Sequence, residues 1–238
     1  MLKRLFDVLC ALLSLIILSP ALIIIGALVW ISDPGPIIFK GMRVGRNGAL
    51  FHILKFRTMR VRPHAGAAVT VRNDPRITPV GRELRKLKLD ELPQLFNVLR
   101  GDMSFVGPRP EAPVYVALYT PAQRQILRVR PGITGLTQIV YRDESELLAG
   151  SNAEWVYRTV AMPAKLRIDQ LYIEKQTLWL DLRILALTAA AIVYPPSAVL
   201  ASRLVKVDAL NGDEAQQIDL KPVLNEPIVT GSKDEHYG

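Results

Sequence analysis

A charge-free apolar run from Val8 to Ile31 constrains this chain more than any other feature. About 24 residues suffice for a helix to span a bilayer. Ser19-Pro20 falls in its middle, where proline lacks the N–H that closes a helical turn and forces a kink. A serine beside that proline can satisfy the backbone group the break releases. The flanks add a second constraint. Lys3 and Arg4 precede the run, and Lys40, Arg43, Arg46, Lys55 and Arg57 follow it. By the positive-inside tendency both ends belong in the cytoplasm. A cleaved signal peptide fits badly, because the run is too long and no small-residue cleavage site is followed by a mature start. A straight transmembrane helix conflicts with both the proline and the flanks. A helix that enters, breaks at Ser19-Pro20 and returns on the same side satisfies both.

A second apolar stretch, Ile184 to Tyr194, is about 11 residues long and too short to span. It reads equally as a buried helix or as an interfacial one, with Trp179 and Tyr194 near lipid headgroups. The net charge of +8 points to anionic partners, but no Lys/Arg block marks a nucleic-acid site. There is also no helix-turn-helix, zinc or aromatic RNA-binding pattern, so nucleic acid is not expected as a partner. Cys10 is the only cysteine, which excludes a disulfide framework. His52, His64 and His236 lack metal-ligand spacing.

Between and beyond these stretches the pattern is mixed. Asp33-Pro34-Gly35-Pro36 is a turn. Ile37–Phe39 and Phe51–Thr58 read as strands around a basic loop, Gly41–Gly48, and Pro63–Asn73 reads as an irregular loop. Gly81–Leu89, Pro93–Leu99 and Pro121–Val129 read as helices, Ile133–Val140 as a strand, and Ser151–Gln176 mostly as helix. The expected fold is α+β: a small helix-rich catalytic domain with few short strands, an N-terminal re-entrant membrane helix and interfacial helices. The expected divisions are 1–32 for the membrane helix-break-helix, 33–204 for the catalytic domain and 205–238 for a polar tail.

The chemistry-bearing segment is Leu87 to Val98, containing Asp90-Glu91, followed by Gly101-Asp102-Met103 and Gly107-Pro108-Arg109-Pro110. Pro93 suits a first helical turn and Gly101 a stop, so Asp90 and Glu91 lie where free backbone N–H groups favour negative charge. A plain helix cap accounts for that spacing by itself. Adjacent residues on a regular helix diverge by about 100°, so the two carboxylates cannot act side by side. Arg109 between two prolines is stiffened in a way that suits bidentate phosphate binding, or is a solvated turn residue. Lys55 and Arg57 alternate on one face of a strand. Arg76 and Arg85 are weaker candidates, either for phosphate or as structural ion-pair partners. Asp102 reads as a helix C-terminal turn residue.

In order, the chain carries Lys3-Arg4-Leu5-Phe6-Asp7, Lys55-Phe56-Arg57-Thr58-Met59, Asp74-Pro75-Arg76-Ile77-Thr78, Leu89-Asp90-Glu91-Leu92-Pro93-Gln94-Leu95, Gly101-Asp102-Met103-Ser104-Phe105-Val106-Gly107-Pro108-Arg109-Pro110 and Arg130-Pro131-Gly132-Ile133-Thr134-Gly135. Over roughly residues 1 to 200 this closely resembles the bacterial sugar transferases in their minimal form, monotopic phosphoglycosyl transferases acting on polyprenyl phosphate. The resemblance implies a re-entrant helix with Ser19-Pro20 at its break, in the bacterial cytoplasmic membrane with the catalytic domain on the cytoplasmic face. It implies a UDP-sugar donor, a polyprenyl (undecaprenyl) phosphate acceptor and release of UMP, at the first membrane step of exopolysaccharide, capsule or other lipid-linked glycan synthesis. By the same resemblance Asp90 is the nucleophile forming an aspartyl phosphosugar and Glu91 binds Mg²⁺. Lys55, Arg57, Arg85 and Arg109 meet substrate phosphate, and Asp169 supports the site. Membrane lipids are implied partners; a homodimer and contact with downstream glycosyltransferases stay open. A rival reading is a non-catalytic membrane scaffold that recruits glycosyltransferases, against which stand Asp90, Glu91 and Arg109. The chain departs from the family at Gly41, at Leu136, at Val140-Tyr141-Arg142-Asp143 and at Pro63-His64-Ala65-Gly66. These bear on the identity of the sugar, because none touches the carboxylate pair.

Overall fold

The computed structural model describes residues 2–61, 74–141 and 153–193. The Pro63–Asn73 loop, the tail 205–238, His64, His236 and Tyr194 lie outside the described residues. The apolar run forms one helix, α1 (Leu2–Ser32), with Pro20 inside it. Helical structure continues through Ser19-Pro20, where the sequence predicts a division into two helices. Pro20 leaves the Ile16 carbonyl, one turn back, without its backbone donor. The Ser19 hydroxyl donates to that carbonyl at 2.9 Å. The interruption is therefore one replaced hydrogen bond rather than an unwound turn.

Helix α1 is attached to the rest of the chain near both ends. Ala11 is buried with Ile53, Val98 and Met103. Ile25 and Val29 are buried with Phe56 and Leu84. Between these points Leu12, Leu13, Ile16, Ile17, Ile23 and Ile24 face outward. So large an exposed apolar surface needs a partner, and lipid is the solvent it fits. The first turns are fixed by charge. The Arg4 guanidinium donates to the carbonyls of Val98 (2.6 Å) and Leu99 (3.0 Å). The buried Asp7 carboxylate accepts from the Ser104 hydroxyl (2.9 Å) and the Phe105 N–H (3.2 Å). The Lys3 ammonium pairs with the buried Asp181 and donates to the Val106 carbonyl at 3.2 Å.

The body begins with an antiparallel hairpin, β1 (Ile38–Val44) on β2 (Leu50–Phe56), with Ile38 opposite Phe56 and Val44 opposite Leu50. The first strand runs five residues beyond the Phe39 limit read from the sequence and takes in Gly41, opposite Ile53. Helix α2 (Pro79–Lys86) is capped by the Thr78 hydroxyl, which accepts from the Gly81 N–H at 2.9 Å. A 3-10 turn, Leu89–Glu91, then leads to α3 (Gln94–Arg100). Gly101 closes that helix at φ 93°, a left-handed conformation that glycine adopts without strain. Asn97 on α3 ties the helix to the hairpin. Its side chain accepts from Leu54 N–H (3.0 Å) and donates to the His52 carbonyl (2.8 Å) and to Asp102 (3.1 Å).

The second half holds a parallel pair, β3 (Ser104–Val106) with β4 (Gly132–Thr134). The expected strand Ile133–Val140 is shorter than its apolar run. After Thr134 the chain passes Gly135, where a Cβ would stand 2.4 Å from the Gly107 carbonyl, and turns into a helix. Burial of Leu136, Thr137 and Ile139 then follows helical rather than alternate spacing. The Pro121–Val129 helix is a 3-10 segment, Gln123–Arg128. In order the helices are α4 (Pro113–Val116), α5 (Leu136–Val140), α6 (Ala153–Val156), a π turn (Tyr157–Ala161), α7 (Met162–Glu174) and α8 (Leu178–Val193). Thus α8 begins before the apolar stretch and includes Asp181. It buries Ile184 and Ala191, as the buried-helix reading expects, while Trp179 stays 70% exposed. The Tyr172 hydroxyl donates to Asp181 at 2.6 Å, joining α7 and α8 to the Lys3 contact. The result is a helix-rich α+β body with two two-stranded sheets among the described residues.

Candidate active site

Asp90 and Glu91 stand on the 3-10 turn, three residues ahead of the helix on whose start the sequence places them. Lys88, left-handed at φ 58°, turns the chain out of α2 into that turn. Successive residues on a 3-10 turn diverge by about 120°, so the two carboxylates face different surroundings. Asp90 is 7% exposed, and among the described residues no hydrogen bond reaches its carboxylate. Burial pushes its pKa up, against the pull of Lys55; the neighbouring Glu91 raises it further, and Arg85 and Lys88 lower it. An unengaged carboxylate beside several cations keeps its lone pairs for an incoming electrophile.

Glu91 is the opposite case. Lys55 donates to its Oε1 at 2.7 Å and Arg109 to the same oxygen at 2.9 Å. Burial alone pushes this carboxyl up, but the Arg109 and Lys55 charges and their hydrogen bonds hold it well below the usual carboxylate range. It is an anion at every physiological pH. Lys55 reaches Glu91 from β2, where burial lowers its pKa and Glu91 opposes the fall. Arg109 reaches it from a loop held on both sides. Gly107 N–H donates to Thr134 O (3.0 Å), Gly132 N–H to Pro108 O (2.9 Å) and Val44 N–H to Glu111 O (3.0 Å).

Arg85 points from α2 to the Thr58 hydroxyl (2.8 Å) and feels the charges of Asp90 and Asp74. The structure therefore groups Asp90, Glu91, Lys55, Arg85 and Arg109. Three cations around two carboxylates leave a positive excess that suits a phosphorylated ligand. Arg57 does not join them. The Arg57 N–H still donates to the Ile37 carbonyl at 2.8 Å just past β2, but its guanidinium pairs with Asp33, which follows α1. Arg76 is the ion-pair partner of Asp74, with contacts of 2.6 to 3.1 Å. Asp102 sits in the turn after α3, as expected.

Asp169 belongs to a second polar cluster. It lies buried on α7, accepts from the Thr137 hydroxyl, and neighbours Lys165 and Glu111. Burial pushes its pKa up to about 7, against the Thr137 hydrogen bond and the Lys165 charge. Sequence reasoning missed Glu111, Tyr157 and Lys165 in this cluster. A Lys–Asp pair four apart, Lys165 and Asp169, was the available signal.

Among the described residues no three His, Cys, Asp or Glu side chains cluster as a metal-holding group. Magnesium asks for less than that. It is held by one or two carboxylates, its own waters and substrate phosphates. The ionised Glu91 beside Asp90 fits such a half-built site.

The family described as bacterial sugar transferase matches residues 1–195. The chain is 40% identical over 208 residues to the exopolysaccharide production protein ExoY of Rhizobium meliloti, covering 81% of this chain and 85% of that one. It is 41% identical over 191 residues to a UDP-glucose:undecaprenyl-phosphate glucose-1-phosphate transferase of Klebsiella pneumoniae, covering 78% of this chain and 39% of the relative. It is 39% identical over 208 residues to an undecaprenyl-phosphate galactose phosphotransferase of Salmonella typhimurium, covering 81% of this chain and 40% of that relative.

Proposed function

The chain belongs to the bacterial sugar transferase family, and on that premise we propose that it transfers a sugar 1-phosphate from a UDP-sugar to undecaprenyl phosphate in exopolysaccharide synthesis. One observation carries the reading. A buried carboxylate, Asp90, to which no side chain or backbone group donates among the described residues, adjoins a carboxylate, Glu91, on which Lys55 and Arg109 converge at 2.7 and 2.9 Å.

In the proposed reaction an Asp90 carboxylate oxygen attacks the β-phosphorus of the UDP-sugar. The bond from that phosphorus to the bridging oxygen breaks, and UMP leaves with the electron pair. The sugar phosphate stays on Asp90 as an acyl phosphate. An oxygen of undecaprenyl phosphate then attacks the same phosphorus and frees the aspartate. Two displacements replace one meeting of two bulky anions. Magnesium, when bound, supplies positive charge against the repulsion between carboxylate and diphosphate. Glu91 holds the cation side of the site as a permanent anion. Lys55, Arg85 and Arg109 receive the negative charge of the diphosphate.

The setting is the cytoplasmic face of the inner membrane. Ala11 and Gly26 would lie about 22 Å apart on a straight helix. The strand residues beside them, Ile53 and Phe56, are about 10 Å apart along β2. Attachment of both ends of α1 to one body supports a helix that dips into the bilayer and returns.

The test is UMP release from a panel of UDP-sugars by the protein in nanodiscs containing undecaprenyl phosphate. Asp90→Asn is expected to abolish UMP release and the trapped phosphosugar adduct. Turnover by Asp90→Asn at the parent rate would sink the covalent route.

A further inference from the structure

We propose that Glu111 is a positioning residue for Arg109, acting as a brace that ties the Pro108–Glu111 loop to the C-terminal helices. The proposal rests on the function given above and adds a residue to its machinery. Arg109 and Glu111 flank a single proline, so a shift of one backbone is passed to the other with little slack. The Glu111 carbonyl accepts from Val44 N–H at 3.0 Å, which fixes its backbone to the end of β1. Its carboxylate accepts from the Tyr157 hydroxyl at 2.5 Å and from the Lys165 ammonium at 3.4 Å.

Both donors come from the C-terminal helices, far along the chain from the grouped phosphate-site side chains. Tyr157 opens the π turn and Lys165 lies on α7. A π turn widens the helix by one residue and re-aims the side chains it carries, and such turns gather at functional sites. Here it presents Tyr157 to Glu111. The Tyr157 ring is itself held, edge-on to Tyr115 with centroids 4.8 Å apart and with the Lys165 ammonium 5.1 Å from its centre. On the other side of Arg109, the Pro108 carbonyl is fixed by Gly132 N–H. The loop is thus clamped before and after Arg109, and the guanidinium is delivered to Glu91 from between the clamps. An acid two residues after the phosphate-site arginine therefore needs no contact with substrate to affect the reaction.

A double-mutant cycle tests this in nanodiscs, with UMP release and UDP binding as separate readouts. Glu111→Ala is expected to lower kcat/KM and UDP affinity about tenfold when Arg109 is present. It should change either by less than twofold in an Arg109→Ala background. Glu111→Gln keeps a carbonyl to accept the Tyr157 proton and should stay within threefold of the parent. Tyr157→Phe removes one donor without a cavity and serves in the cycle if Glu111→Ala does not fold. Equal losses with and without Arg109, or no loss for Glu111→Ala, would overturn the brace. Failure of the unsubstituted protein to release UMP would count against the proposed function, while the UDP-binding cycle still decides the brace.

Discussion

Replacing Asp169 with asparagine should change how stability depends on pH. In the folded chain this carboxyl titrates near 7, because it is buried and only partly compensated by Thr137 and Lys165. In the unfolded chain it titrates near the ordinary 3.8. The unfolded chain therefore releases the proton first, and between these values folding must hold a proton that water would remove. Stability is full below about pH 4 and falls as pH rises toward 7. The gap corresponds to about 4 kcal/mol, of which roughly 2 to 3 kcal/mol falls between pH 5 and pH 7.5. For a chain of this size that is about 5 to 10 °C in Tm. The amide introduced by Asp169→Asn keeps an oxygen for the Thr137 hydroxyl and cannot ionise. The assay is thermal unfolding in nanodiscs at pH 5 and 7.5 for the parent and Asp169→Asn. The variant should lose the pH slope and gain its advantage at pH 7.5. An unchanged slope in the variant would refute the reasoning, since another group would then be titrating.

Arg109→Lys should lose about thirtyfold in kcat/KM, about 2 kcal/mol, because an ammonium lacks the planar fork that can hold Glu91 and a phosphate together; a loss under threefold in UMP release would identify Arg109 as an ordinary turn residue. Pro20→Ala restores the backbone N–H to Ile16 and displaces the Ser19 bond, so the helix should straighten. Cysteines at Leu2 and Met42 in a Cys10→Ala background should both label from the cytoplasmic side in the parent, and the Pro20 variant should shift toward labelling from opposite sides; opposite-side labelling in the parent would defeat the re-entrant reading.

The long apolar N-terminal helix and the helix that Gly101 closes were legible in the sequence because their signals are local. A charge-free run and a Gly-closed helix each act within a few residues of themselves, whereas the Ser19-Pro20 pair does not divide α1 because the Ser19 hydroxyl replaces the lost donor. The failures are of two kinds. Arg57 stands apart from the group because its guanidinium pairs with Asp33, 24 positions away, a contact that strand alternation does not encode. The run Ile133–Val140 reads as one strand, yet β4 ends at Thr134 and the chain turns to helix after Gly135, which passes close to Gly107. Long-range contacts were invisible for a different reason. Glu111 meets Tyr157 across 46 positions, through a π turn that has no sequence period of its own. Lys3 meets Asp181 across 178, and each alone reads as a surface charge.

That last contact sets an order of events during biosynthesis. The ribosome delivers Lys3 first and Asp181 only after most of the described chain has emerged. For that interval the first turn of the apolar helix lacks the counter-ion that will hold it. Closure of so long a loop comes late, since its entropy must be met by contacts already made. The Val106 carbonyl, which waits for Lys3, lies one residue before the Gly107–Pro110 segment that carries Arg109. The Lys3 contacts therefore join the first turn of α1, the start of α8 and the backbone that leads into the Arg109 loop in one closure.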